Sequence, residues 1–513
     1  MFNLSAGRKS FVGILLILSM LFSVGATVLA QEDLIVAKNE PTPTADPHDS
    51  HHTFTGPIVN LIFDRLITVD EDGNYAPELA TDWEFSEDQT ELRLTLREGV
   101  EFHDGSPFNA EAVKYNFERI LDPDNALSAR DRLTAIQDVE VLDEYQVQLN
   151  FDEPYGPLLN ILSSFQVSMV SPEAAREYGV EEFDQNLVGT GPYEMKEWVR
   201  GERFVVERAG DYWGPEPQFD EVEFRPILED SARVAALMTG EVDIIQPLPP
   251  QFVSSIEESS GKLVEATPGT RVFWVTMNTQ EEPFDKTAVR QAMSYAIDYE
   301  ALIDEVQYGY ASKANSPLPP GVIGHSEHTQ GYEYNPEMAE KLLDEAGYPD
   351  GFEFTLWIAD EGWYPRLAES LAGFWEEIGV ETNIDSYESG VYFDLLGEPF
   401  EENEVQMTIN NWAQTDPYYM IEPLLHSRNW PDEGLNWAFY HNPLMEELIE
   451  EGARVAEPEQ RTPYYRNAAQ IIMSDAPWII PYVIQNVVGY KEGLEGFWME
   501  PGGVLRLEEA YWD

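Results

Sequence analysis

Residues 92–120 (LRLTLREGVEFHDGSPFNAEAVKYNFERI) constrain the fold of this chain more than any other stretch. Leu92, Leu94 and Leu96 alternate with Arg93, Thr95 and Arg97, the period of two that buries one face of a strand. Glu98-Gly99 interrupts the pattern, residues 100–102 resume it briefly, and His103-Asp104-Gly105-Ser106-Pro107 turns the chain. Asn109 is placed to cap a helix, with Glu111 near the helix's positive end. Val113, Phe117 and Ile120 then recur at spacings of four and three, which gives that helix one apolar stripe. Strand, turn and capped helix form a scaffold, and nothing in the stretch is a reaction site.

The same alternation continues along the chain. Residues 139–142 and 147–151 read as strands, 232–238 as a helix and 240–245 as a strand. Residues 272–278 have the composition of a strand buried on both faces, and 283–298 predict a helix with Val289, Met293, Ala296 and Ile297 on one side. Asn335-Pro336 starts a helix by cap and N1 proline; Met338, Leu342, Leu343 and Ala346 form its apolar face, and Gly347 ends it. Leu367, Leu371, Phe374, Trp375 and Ile378 stripe another helix, closed by Gly379. Strands alternating with helices imply α/β lobes, and 513 residues exceed one compact domain, so two or three lobes are expected.

Charge excludes several functions. The chain carries 95 acidic and 30 basic residues, a net charge of −65, spread over its whole length. Nucleic acid and anionic membrane surfaces need clustered Lys and Arg, so neither is an expected partner. At ~1 M salt the Debye length is about 3 Å and the self-repulsion of such a chain is screened. A halophilic or salt-tolerant source is therefore expected, an acidic secreted protein of a mesophile being the alternative. The absence of cysteine removes disulfides, thiol nucleophiles and iron–sulfur clusters. Residues 1–30 read as an export signal: Arg8 and Lys9, an apolar run over 11–22, then small residues ending at Ala30. An uncleaved anchor is the alternative. His48, His51 and His52 crowd one loop beside Asp49, but without a spacing that would put ligands on one face. A solvated loop is the expected reading, with no metal and no cofactor.

The string LR-x-GV-x-FHDG-x-PF-x-A-x-x-V-x-Y-x-F-x-R in the opening stretch resembles the signature of family 5 extracellular solute-binding proteins, the receptors of dipeptide, oligopeptide and nickel ABC importers. Further strings follow in that family's order: Val188-Gly-Thr-Gly-Pro-Tyr193, Asp211-Tyr-Trp-Gly214, Gly240-Glu-Val-Asp-Ile-Ile245, the helix at 283–298, and Asp475-Ala-Pro-Trp-Ile-Ile-Pro481. The resemblance implies a two-lobed periplasmic-binding-protein-like α/β fold, class II, of the large peptide-binding type with an extra subdomain in lobe one. The implied boundaries are 31–57 with 187–270 and 486–513 for the core of lobe one, 58–186 for the extra subdomain, and 271–485 for lobe two. It further implies an exported, monomeric receptor that captures a peptide-class solute and hands it to the membrane subunits of an ABC importer.

Asn410-Asn-Trp412-Ala-Gln-Thr-Asp416-Pro-Tyr418-Tyr419 is the candidate ligand segment, since a tryptophan plane beside a carboxylate suits a semi-polar solute. In the peptide-binding branch, an Asp at the third position after this Trp receives the ligand's α-amine. Here that position is Thr415 and Asp416 follows it, so either Asp416 takes over or amine recognition is absent. The arginine that this branch places ahead of the helix near Arg366 is also missing, because residues 358–365 are acidic and aromatic instead. Trp363, Tyr364, Trp274, Trp412, Trp430 and Trp437 supply flat apolar faces that would serve a longer peptide or a stacked sugar. An oligosaccharide receptor of the same family is thus the rival within binding proteins. A secreted acidic hydrolase is the rival from another class, although no Gly-x-Ser-x-Gly or His-Glu-x-x-His appears.

Overall fold

Strand β1 (Leu34–Lys38) is buried at four of its five positions, as an apolar run in mid-sheet must be. The computed structural model that contains it describes residues 33–50, 52–432 and 434–513; the export signal expected at 1–30, and His51, lie outside these. From β1 the chain enters α1 (Gly56–Ile62), buried along its whole length. It then builds the extra subdomain from β2 (Ala80–Phe85), β3 (Glu91–Leu96), α2 (Ala110–Leu121), β4 (Ile136–Asp143), β5 (Gln146–Phe151) and α3 (Leu158–Leu162). The four strands pair antiparallel in the order β2-β3-β5-β4. Asn109 caps α2, its Oδ1 accepting from the Ala112 amide at 3.1 Å, and Val113, Phe117 and Ile120 are buried against the sheet. The apolar core of this unit runs from Leu66 to Met169. Ile58, Ile62 and Phe63 before it, and Val170, Ala174 and Phe183 after it, pack instead with β1. The packing thus draws the subdomain tighter than residues 58–186.

Strings that lie far apart in sequence meet at the seam between subdomain and lobe one. Asp64 Oδ2 accepts from Trp213 Nε1 at 2.7 Å and from Thr190 Oγ1 at 2.8 Å, while the Tyr212 hydroxyl donates to Oδ1 at 3.3 Å. The Arg97 guanidinium lies over the Trp213 ring. The His103 amide donates to the Gly189 carbonyl, and its Nε2 meets the Gly191 carbonyl at 2.9 Å. Glycine is required at 189 and 191, since a Cβ would stand 2.1 Å and 2.6 Å from the Ile62 and Leu61 carbonyl oxygens respectively. The opening motif is therefore a clasp that holds the subdomain on lobe one.

Beyond the clasp come β6 (Tyr193–Val199), β7 (Arg203–Arg208), β8 (Glu221–Pro226), α4 (Asp230–Thr239) and β9 (Ile244–Gln246). The long strand β10 (Lys262–Met277) then leaves lobe one for lobe two. Lobe two holds α5 (Thr287–Tyr295), β11 (Ala311–Lys313), α6 (Pro336–Ala346), β12 (Phe352–Ala359), α7 (Tyr364–Glu376), β13 (Val380–Tyr387) and β14 (Met407–Ala413). It ends with α8 (Pro417–Leu425), α9 (Pro443–Ala453) and α10 (Pro458–Asp475), and β15 (Trp478–Lys491) carries the chain back. One eleven-stranded sheet runs through both lobes in the order β13-β12-β14-β10-β15-β9-β1-β8-β7-β6, with β11 on the side of β15. Residues 262–268 of β10 pair with 485–491 in lobe one, and 272–276 pair with 478–483 in lobe two. The register breaks between Pro268 and Val272. Two antiparallel strands with a shared irregularity are the geometry of a hinge. The apolar core from Val272 to Val483 is separate from those of lobe one, which completes a two-lobed α/β fold.

Candidate functional site

Solutes collect outside the carboxyl ends of parallel strands in open α/β sheets. In lobe two, β13 and β14 both run parallel to β12, so their carboxyl ends at Ala359, Tyr387 and Ala413 share one edge. The antiparallel β10 enters at that same edge, with Arg271 opposite Ala413. In lobe one, β8 and β9 run parallel to β1, and the corresponding edge is Lys38, Pro226 and Gln246. The hinge brings the two edges face to face. Around them the lobes touch: Asn160 Nδ2 donates to Thr415 Oγ1 at 2.8 Å, the hydroxyls of Tyr155 and Tyr419 meet at 2.5 Å, the Gly156 amide donates to the Ala453 carbonyl at 2.6 Å, and the Ala456 amide to Gln89 Oε1 at 2.7 Å. This is a closed arrangement.

The aromatic and acidic candidates divide between this edge and the core. Asp416 caps α8 by accepting from the Tyr418 amide at 2.8 Å, and its carboxylate is held by Arg461 in a fork, at 2.6 Å and 2.9 Å. Both side chains are buried. Burial opposes the Arg461 charge, yet Asp416 and the Tyr465 hydroxyl more than offset it and raise the guanidinium pKa. A ligand ammonium would have to displace Arg461, so the expectation that Asp416 meets an amine gives way to an internal ion pair. Trp274 is only 2 % exposed and stacks on Trp478 inside lobe two, which offers no free face. Trp430 donates from Nε1 to the Tyr440 carbonyl and packs edge-on against Phe439, and Trp437 is buried beside Phe393. Tyr418 is half-buried beside Glu422 and Arg428, with its hydroxyl pKa pushed up to about 12 by burial and by Glu422. Trp412 is half-buried and anchored through Nε1 to the Tyr419 carbonyl at 2.9 Å. Trp363 stacks on Tyr364 at 3.9 Å and meets Phe273 edge-on, directly after the end of β12. Trp412 and Trp363, both half-buried, thus stand at the inter-lobe edge, with Tyr364 buried beneath Trp363 in the core of lobe two.

Three charged groups at this edge escaped the sequence reading. Arg271 donates to Asn411 Oδ1 at 2.7 Å, and burial raises the Tyr364 hydroxyl pKa, opposed by Asn411 and by Arg271. Burial lowers the Arg271 pKa, opposed by Tyr364 and by Glu40 from lobe one. Lys38 is buried at the end of β1, donates to the Phe54 carbonyl, and has its pKa pushed down by burial to about 7, with Glu40 opposing. A single Arg in a strand carries no periodic signal; only the pairing of β10 with β14 places it at the edge. A cavity of about 330 Å³ lies beside β11 and is lined by Lys313, Asn315, His325, Glu327 and Val483 among others.

Of the histidine loop, His48 is buried, while Asp49 and His52 are exposed as expected of a solvated loop. His48 Nε2 donates to the Ser168 carbonyl at 2.9 Å and Nδ1 accepts from Arg119 at 2.6 Å. Burial and Arg119 push its pKa down to about 3, so the ring is neutral with both nitrogens engaged. Among the described residues no group of three His, Asp or Glu side chains is arranged to hold a metal ion.

Residues 74–432 match the family model of bacterial extracellular solute-binding proteins, family 5 (middle region). The glutathione-binding protein GsiB of Salmonella typhimurium is 31% identical over 491 residues, covering 94% of this chain and 95% of that protein. HbpA2 from Haemophilus parasuis superposes with a TM-score of 0.85 at 25% identity, over 94% of this chain and all of that one. The periplasmic binding protein DppA from Helicobacter pylori, solved in complex with the peptide STSA, gives 0.77 at 27% identity over 94% and 98% of the two chains.

Proposed function

The chain belongs to the bacterial extracellular solute-binding proteins of family 5 and is a solute-binding receptor of an ABC importer; from that premise we propose that its solute is a peptide, bound between the lobes. The observation that carries this reading is the meeting of two strand-end edges across a two-stranded hinge, with polar groups from both lobes around it. Backbone amides and carbonyls of a peptide find donors and acceptors on such edges, and the half-buried Trp363 and Trp412 give its side chains flat apolar walls. Several of the rings expected to stack on a sugar, Trp274 above all, are occupied by core packing, which favours the peptide over the oligosaccharide. Closure follows from the differential affinity of the two states: a solute that touches both edges stabilises the closed population. The protein works outside the cytoplasmic membrane, as a monomer, without chemical turnover of its solute. Among the described residues no helix is long and apolar enough to cross a membrane.

The test is a thermal-shift screen against tri- and tetrapeptides, glutathione and malto- and xylo-oligosaccharides, followed by calorimetry on the hits. Stabilisation by peptides is expected. Stabilisation by oligosaccharides alone would overturn the peptide assignment, and product formation from any of them would overturn the receptor reading.

A further inference from the structure

Buried arginines in this acidic chain have carboxylates or carbonyls waiting for them. Arg461 has Asp416, Arg119 has Asp46, and Arg65 has Glu78 and Glu500. Arg290, which has no carboxylate, fills its donors with the carbonyls of Phe284, Asp475 and Ala476. Arg271 differs. Among the described residues it forms no ion pair, and Asn411 Oδ1 is the one acceptor found for its five N–H groups. It stands at the strand-end edge of lobe two, where β10 emerges from the hinge, with Glu40 of lobe one the carboxylate nearest in effect.

Its surroundings hold it in place. Asn411, fixed on β14 opposite Phe273, orients one side of the guanidinium. Tyr364 is held by its stack on Trp363. The same two residues open α7, whose thirteen residues begin without a side-chain cap, so its positive end adds to the field at this edge. A guanidinium with free N–H groups, positioned by its neighbours and partly desolvated, is a receptor for a planar anion.

We propose that Arg271, oriented by Asn411, forms a carboxylate subsite in the inter-lobe cleft, so that the bound peptide carries a free carboxyl group at this position. The subsite rests on the peptide reading above. It gives the chain a carboxylate fork from β10, although the segment ahead of α7 is acidic and supplies none. Glu40 of lobe one is the carboxylate whose charge favours the Arg271 guanidinium, and a bound carboxylate takes over that role.

The test compares two libraries of tripeptides on the full-length mature protein, identical except that one has free and the other amidated C-termini, with Kd measured by calorimetry. The wild type is expected to bind the free acids ~10- to 100-fold more tightly than the amides. Arg271→Met should lose that preference and leave amide affinity within a few-fold, while Arg271→Lys should recover part of it. Glu40→Gln should tighten the free acids. Melting temperatures of each variant separate misfolding from lost binding, and amidation probes the subsite without touching the protein. Equal binding of the two libraries by the wild type, or an unchanged preference in Arg271→Met, would overturn the subsite and leave the peptide reading standing. Binding of neither library would overturn the peptide reading and the subsite with it.

Discussion

Removing the Asp416 carboxylate leaves the Arg461 guanidinium buried without its counter-charge. Asp416→Ala is therefore expected to cost ~3–5 kcal/mol of stability in urea denaturation, whereas a ligand-contact role would leave stability intact and weaken binding only. Replacing both partners together, Asp416→Leu with Arg461→Met, should recover much of that loss. Lys38 makes a prediction in pH. Its folded pKa of about 7 lies below the unfolded value of 10.5, so the unfolded chain holds the extra proton between those values and stability rises with pH across that window. Lys38→Met should accordingly stabilise most below pH 7, by on the order of 2–4 kcal/mol, with the gain fading as pH approaches 10.5. Thermal melts of the two proteins over pH 6–10.5 read this directly, and a constant difference would contradict it. At this scale the sequence was partly legible: Trp412 and Trp363 lie half-buried at or just beyond the ends of their strands. Asp416 was legible as a carboxylate beside a tryptophan. Its partner, 45 residues further on in another helix, was not.

Elements specified by local chemistry were readable in advance. The caps at Asn109 and Asn335, the stripe of α2 and the glycine end of α6 all stand as their residues predict. The lobe-one half of β10 was not, because residues 262–268 are half-exposed and lack an apolar run. Their strand character comes from β15, more than 200 residues away, and the hinge exists only in that pairing. The contact between subdomain and lobe two was equally hidden. Tyr155 and Tyr419 share a hydroxyl hydrogen bond there, with Arg132 over the Tyr419 ring. Tyr155→Phe and Tyr419→Phe should each weaken ligand binding slightly and be non-additive when combined, with a coupling of about 0.5–1.5 kcal/mol. Additive losses would place the bond outside the closing motion. Gly189→Ala, by contrast, should destabilise the clasp itself, since the new Cβ would stand 2.1 Å from the Ile62 oxygen.

At the scale of the molecule, the net charge of −65 sets the conditions under which these lobes can close. Salt screens the repulsion between like-charged lobes, so the melting temperature is expected to rise by about 5 °C or more between 0.1 M and 2 M KCl; a flat or falling curve would contradict a salt-adapted design. The overall architecture was legible because its motifs recur in one order along the chain. The bound solute was not, because cleft chemistry depends on which side chains two distant edges present to each other. Native mass spectrometry of the mature protein, purified in high salt from its own host, tests the central claim most directly. Co-purified peptides, released on unfolding and carrying free carboxyl termini, are the expected result. A ladder of hexose masses in their place would contradict it.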